Sequence, residues 1–165
     1  MAYKQSLVAA VLIAMTAACG GRDPQIPADA QEMGLMPVGN SQQQQHWSGF
    51  TERARLAIRD QDAWASAWTT VMAQSASPVG PPQVDFESEM VVLAAMGQRN
   101  TGGYTIEIRE AAANAEALYV SVVETSPGSG CGTTQALTQP VVMARVARYD
   151  GEVRFINNEV TRNCW

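Results

Sequence analysis

The sequence predicts a mainly β (α+β) fold, an antiparallel sheet or small β-sandwich of about six strands with one N-terminal amphipathic helix packed on it. Three observations carry this expectation. Apolar residues alternate with polar ones in several short segments, and one segment, residues 89–96, is apolar without interruption after its first residue, Glu89. Strands and helices also show no βαβ rhythm, which argues against a parallel sheet with crossover helices.

Each element follows from its own pattern. Phe50, Ala54, Leu56 and Ile58 share one parity, while Thr51, Arg53, Arg55 and Arg59 share the other, so this strand should present an arginine-lined outer face. Asp60 then offers an N-cap and Asp62 a favourable charge in the first turn. Trp64, Ala67, Trp68, Val71 and Met72 recur at helical spacing beyond them. The prolines Pro78, Pro81 and Pro82 cannot continue that helix. The run at 89–96 reads as a strand covered on both faces. Tyr104, Ile106 and Ile108 alternate with Thr105, Glu107 and Arg109, as do Leu118, Val120 and Val122 with Tyr119, Ser121 and Val123; Asn114 marks the connection. Residues 141–149 and 152–156 flank Asp150 and Gly151, a pair suited to a two-residue type I′ hairpin.

The chain has 165 residues, 46% hydrophobic and 16% charged, with a formal net charge of −5. That is room for one ordinary domain. An acidic chain without clustered Lys and Arg is a poor match to a nucleic-acid phosphate surface. Residues 1–18 begin with one cation at Lys4, continue through an apolar run from Leu7 to Met15, and end on small residues, the order of a secretory signal. The ending Met15-Thr16-Ala17-Ala18-Cys19 resembles a bacterial lipobox, with Thr16 a departure from the leucine-type residue usual there. This implies lipidation at Cys19, a membrane anchor in the cell envelope. Gly20 in place of an aspartate implies the outer membrane, facing the periplasm, in a Gram-negative cell. The alternative is a plain secretory signal that leaves Cys19 an ordinary thiol.

Residues 19–46 contain Pro24, Pro27, Pro37 and a run of glutamines, with no apolar period, and read as a mobile tether ahead of one domain at 47–165. His46, at the end of that polar tract, is expected to be solvated. Export leaves Cys131 and Cys164 where disulfides persist, and one bridge is the economical expectation. Two unpaired thiols are the alternative.

The segment Val84-Asp85-Phe86, with Gly97, Thr101-Gly102-Gly103-Tyr104, Ser126-Pro127, Cys131 and Gln139-Pro140, resembles the PrcB C-terminal domain family over residues 84–147. The name-giving member is a lipoprotein subunit that accompanies an exported subtilisin-like protease complex. The resemblance therefore implies an accessory or interaction protein, and it transfers no catalytic residue. The Gly102-Gly103 pair has a simple role as a turn between strands. Residues 126–139, however, exceed what a hairpin needs. We therefore expect Thr101, Gly102, Gly103, Tyr104, Ser126, Pro127 and Gln139 to lie at one end of the sheet as a single recognition surface.

Elimination points the same way. Lys4 is the only lysine and His46 the only histidine, so a serine or cysteine nucleophile in the domain lacks its usual base. Two cysteines without histidine do not make a zinc site. Asp85, Glu87 and Glu89 would share one strand face if the strand began that early and could hold calcium, but a solvated acidic edge is the commoner use of such a pattern. The expectation is a chain with no catalytic residue, no metal and no cofactor that binds an envelope protein, an exported protease or its assembly first among candidates. A small-ligand or peptidoglycan-binding module is the alternative. A protease inhibitor is a second one, since the Thr-Gly-Gly-Tyr turn is also similar to the binding loop of chagasin-like inhibitors.

Overall fold

A computed structural model describes residues 23, 25–39 and 45–164. The expected signal at 1–18 and the expected lipidation site Cys19 lie outside the described residues. Among those described, seven strands form two sheets beside one helix. The strands are β1 (Gln31–Glu32), β2 (Arg53–Ile58), β3 (Glu89–Met96), β4 (Thr105–Ala113), β5 (Ala117–Pro127), β6 (Val141–Ala147) and β7 (Glu152–Arg162), and the helix is α1 (Gln61–Val71). One sheet has the order β1-β4-β5-β7 and the other β2-β3-β6.

The two sheets stack through side chains from both. Met90, Val92 and Ala94 of β3 and Val142, Ala144 and Val146 of β6 meet Ile106 and Ile108 of β4 and Leu118, Val120 and Val122 of β5. The opposite face of β3, Val91, Leu93 and Ala95, packs under Trp64, Ala67, Trp68 and Val71 of α1. The unbroken apolar run is thus explained, because β3 has no solvent-facing side. Asp60 caps α1 by accepting from the Ala63 amide at 2.8 Å. The indole N–H of Trp64 donates to Pro82 O at 2.9 Å, and that of Trp68 to Val79 O at 2.8 Å. Each tryptophan therefore buries its ring and satisfies its one polar atom on the proline-rich loop.

Three expectations are corrected. First, Asp150-Gly151 does not make a hairpin. β6 pairs with β3, whereas β7 runs parallel to β5, so the turn carries the chain from one sheet to the other. A type I′ turn needs positive φ at both central residues, and neither has it. Gly151 is required for a different reason, since a Cβ there would stand 2.6 Å from the Tyr149 ring. Val153 and Phe155 of β7 pack against the core between the sheets. Second, an all-antiparallel sheet is overturned by that same β5–β7 pairing. Third, the polar face of β2 turns toward the other sheet, with Arg55 largely buried and Arg53 still 45% exposed. Arg53 and Arg55 reach across to the other sheet, as described below.

The tether expected at 19–46 is also not what residues 25–39 form. They make a strap over the side of the sandwich. Ile26 and Ala30 are buried against Ala112, Ala117, Tyr119 and Ile156 on the outer face of the β1-β4-β5-β7 sheet. β1 pairs with β4, and the Met33 amide donates to Ala111 O at 2.8 Å. Met36 then bridges to Arg145 of β6 in the other sheet, and Gln45 to Val141. Because the strap crosses between sheets, its apolar residues carry no single period, and the sequence pattern hides it.

Asp23 secures the start of the strap. It is only 8% exposed, and its carboxylate accepts from Ser121 Oγ at 2.6 Å, from the Asn158 side-chain amide and from the Gln25 amide at 3.0 Å. Burial alone would raise its pKa, but these hydrogen bonds and the charge of Arg109 outweigh burial and hold it below the ordinary 3.8. A lowered folded-state pKa means that docking is favoured with Asp23 ionised. That contribution is complete above the ordinary carboxylate range and is lost as pH falls through the lowered value. The amide resonances of Met33 and Met36 should therefore shift in an acid step below the ordinary value of 3.8. In Asp23→Asn that step should vanish.

Candidate functional site

The site is at the end of the sandwich where β3 leaves one sheet and β4 enters the other. β3 stops at Met96, and Gly97 turns with φ +78°; a Cβ there would meet the Arg53 amide nitrogen at 2.9 Å. Glycine is required on both counts. Arg99 and Thr138 then exchange backbone hydrogen bonds at 2.8 and 3.0 Å. The Thr138 hydroxyl donates to Thr101 O at 2.9 Å, and the Gly102 amide to Thr134 O at 2.9 Å. These contacts join the loop after β3 to the loop after β5.

The glycine pair serves this junction rather than a hairpin, because β3 and β4 belong to different sheets. Gly103 has φ +89°, and a Cβ on it would lie 3.1 Å from Thr133. Gly102 has no positive φ, yet a Cβ there would come within 2.3 Å of Thr134 Oγ1. Gly103 is needed for its backbone conformation, whereas a side chain at Gly102 would displace the exposed Thr134 hydroxyl of the second loop.

The second loop is pinned from its other side. Cys131 and Cys164 form a disulfide with Cα atoms 4.9 Å apart. The Gly128 amide donates to Arg162 O at 2.9 Å, tying the start of the loop to the end of β7.

Beneath the loops lies a charge cluster. Glu124 sits on the inward parity of β5, in line with Val120 and Val122, and its side chain is 3% exposed. Arg53 Nη2 lies 2.7 Å from one of its oxygens, and the Arg55 guanidinium donates to the other. Arg99 Nη2 is 3.7 Å away. Arg53 also reaches Glu159 of β7 at 2.7 Å, and Arg55 Nε reaches Asn157 Oδ1 at 2.8 Å. Hydrogen bonds that Arg53 donates to Glu159 and Glu124 raise its pKa, and Arg53 in turn lowers that of Glu159. Arg99 is the loosely held member. Its guanidinium stands 5.5 Å from the Tyr104 ring centroid, and among the described residues its buried Nε has no hydrogen-bond partner.

Of the residues expected at this site, Thr101, Gly102, Gly103 and Tyr104 lie in or beside the junction. Ser126 and Pro127 are the last residues of β5, paired with Thr161 and Arg162, so the second loop begins at Gly128. Gln139 is 7% exposed and acts as a brace. Its amide donates to His46 O at 2.8 Å, and its own carbonyl accepts from Ser48 Oγ at 2.9 Å. Sequence reasoning missed Arg99 and Glu124, although a glutamate on the inward parity of an apolar strand signals a buried ion pair. It also missed Trp47 and Leu137, which are 60% and 53% exposed and border the Gln139–His46 contact along the chain.

Asp85, Glu87 and Glu89 do not share a strand face, since β3 begins only at Glu89. Asp85 accepts from Ser88 Oγ at 2.7 Å, and Glu89 pairs with Arg145 at 2.7 Å. Their positions give no cluster that could hold a metal ion among the described residues.

No curated protein and no solved structure matches the chain. Residues 90–147, from the second residue of β3 to the last of β6 and including both loops of the junction, match the family model described as PrcB C-terminal.

Proposed function

We propose that this chain is a non-catalytic, lipid-anchored protein of the cell envelope that binds a protein partner, an exported protease or its assembly, through the two joined loops. The observation that carries the reading is the Arg99–Thr138 backbone pairing, which makes one braced surface of two loops distant in sequence. Such bracing lowers the ordering cost of binding. The surface has the chemistry of a protein contact. Exposed Trp47 and Leu137 supply apolar area, and Arg99 over Tyr104 supplies a cation beside a ring, the residue types that dominate interface energies. The PrcB C-terminal match supports a role near a protease complex.

A small-ligand reading has one observation in its favour. A cleft of about 340 Å³ opens between β4 and β6, lined by Leu35, Ile106, Ile108, Val142 and Ala144, with Glu107 as its titratable residue. Its volume is at the lower end for ligand pockets. Purification of the intact acylated chain after gentle cross-linking separates the two. A protein recovered in stoichiometric amount, with cross-links near residues 99–104 and 128–138, is expected. A chain that returns only a small molecule would favour the cleft.

A further inference from the structure

We propose that the outer face of the β1-β4-β5-β7 sheet, beside Asp23, lies directly against the lipid surface. The inference rests on the reading that Cys19 carries the lipid. Only Gly20, Gly21 and Arg22 separate Cys19 from Asp23. Whatever path those residues take, the two Cα atoms lie within about 14 Å of each other. Asp23 itself is buried and bonded to Ser121 on β5 and Asn158 on β7. Its amide donates to Glu110 on β4 at 3.2 Å. A free tether over 19–46 would reach about 90 Å at full extension; the docked strap removes that reach.

The chain between anchor and domain therefore decides which face meets the membrane. Strap residues Ile26 and Ala30 cover one end of the outer face. The rest includes Glu107, Arg109, Arg154 and Val160, the last 48% exposed. Glu107 stands 3.8 Å from Arg109 and Glu152 2.8 Å from Arg154, so these charges largely offset one another, and the leash rather than charge attraction is what holds the face to the bilayer. On the opposite side of the molecule, α1 is separated from this face by both sheets, about 20 Å farther from the lipid. The loop junction lies at the end of the sandwich and stays open sideways to a partner in the envelope.

The test uses the acylated full chain in vesicles of phosphatidylethanolamine and phosphatidylglycerol carrying a headgroup nitroxide quencher. A fluorophore is placed at Val160→Cys or, on α1, at Ser66→Cys. Several-fold stronger quenching at position 160, unchanged by salt, is expected. A flexible Gly/Ser spacer inserted between Gly21 and Arg22 should erase the difference. Equal quenching at both positions in a chain whose mass shows the acyl group would overturn the inference alone. A chain with no acyl mass would overturn the anchor reading and the inference with it.

Discussion

Replacing Glu124 by alanine should cost about 3 to 5 kcal/mol of folding stability, the usual result of removing one partner from a buried ion pair. Glu124 is the common counter-ion of Arg53, Arg55 and Arg99, and its side chain is 3% exposed. Its loss leaves cations facing one another between the sheets. Arg53 keeps Glu159, and Arg55 keeps Asn157 and the Ala54 and Ala95 carbonyls. The Arg99 side chain keeps its contact with the Tyr104 ring and the more distant charge of Glu159. The damage should therefore spread from the core toward the loop junction. Urea unfolding measures it as a lower midpoint at unchanged slope. Glu124→Gln, which keeps the volume and one acceptor oxygen, should fall between the two. A midpoint for Glu124→Ala within error of the parent would show that the cluster does not hold the sheets together.

Removing the disulfide should cost about 3 to 4 kcal/mol on the loop-closure model. Cys131 and Cys164 are 33 residues apart in sequence, and the bridge fixes both the second loop and the end of β7. Cys131→Ser with Cys164→Ser, or the parent chain under reductant, should unfold at correspondingly lower urea. Amide exchange should quicken first at Gly128 and Cys131, whose hydrogen bonds run to Arg162 O and Gly128 O. The Arg99–Thr138 pairing is built on the other side of the loop, so it should loosen less. Equal midpoints with and without reductant would mean that the bridge constrains neither end.

Much of this architecture was legible from pattern alone, and the failures share one cause. The apolar run of β3 announced two covered faces because both its parities are buried. Asn114 announced the β4–β5 connection because its side chain accepts from the Glu116 and Ala117 amides. Alternation, however, separates two faces of a strand without saying what lies beyond each. Arg53 and Arg55 occupy the polar parity of β2, yet both reach across to Glu124, Arg53 while still 45% exposed. The strap escaped notice for a related reason. Ile26, Ala30 and Val38 bury against different layers, so no period links them. At the candidate site, the glycines signalled their loop, but the closeness of Thr133 and Thr134 to them is a tertiary fact.

The joined loops as the partner surface are tested most directly by affinity. A chain carrying Thr101→Ala with Tyr104→Ala, shown by urea midpoint to fold like the parent, is titrated with the protein recovered by cross-linking. Binding weaker by about tenfold or more is expected, the loss of a central contact worth over 1 kcal/mol. Undiminished affinity in a folded variant would place the partner elsewhere on the molecule.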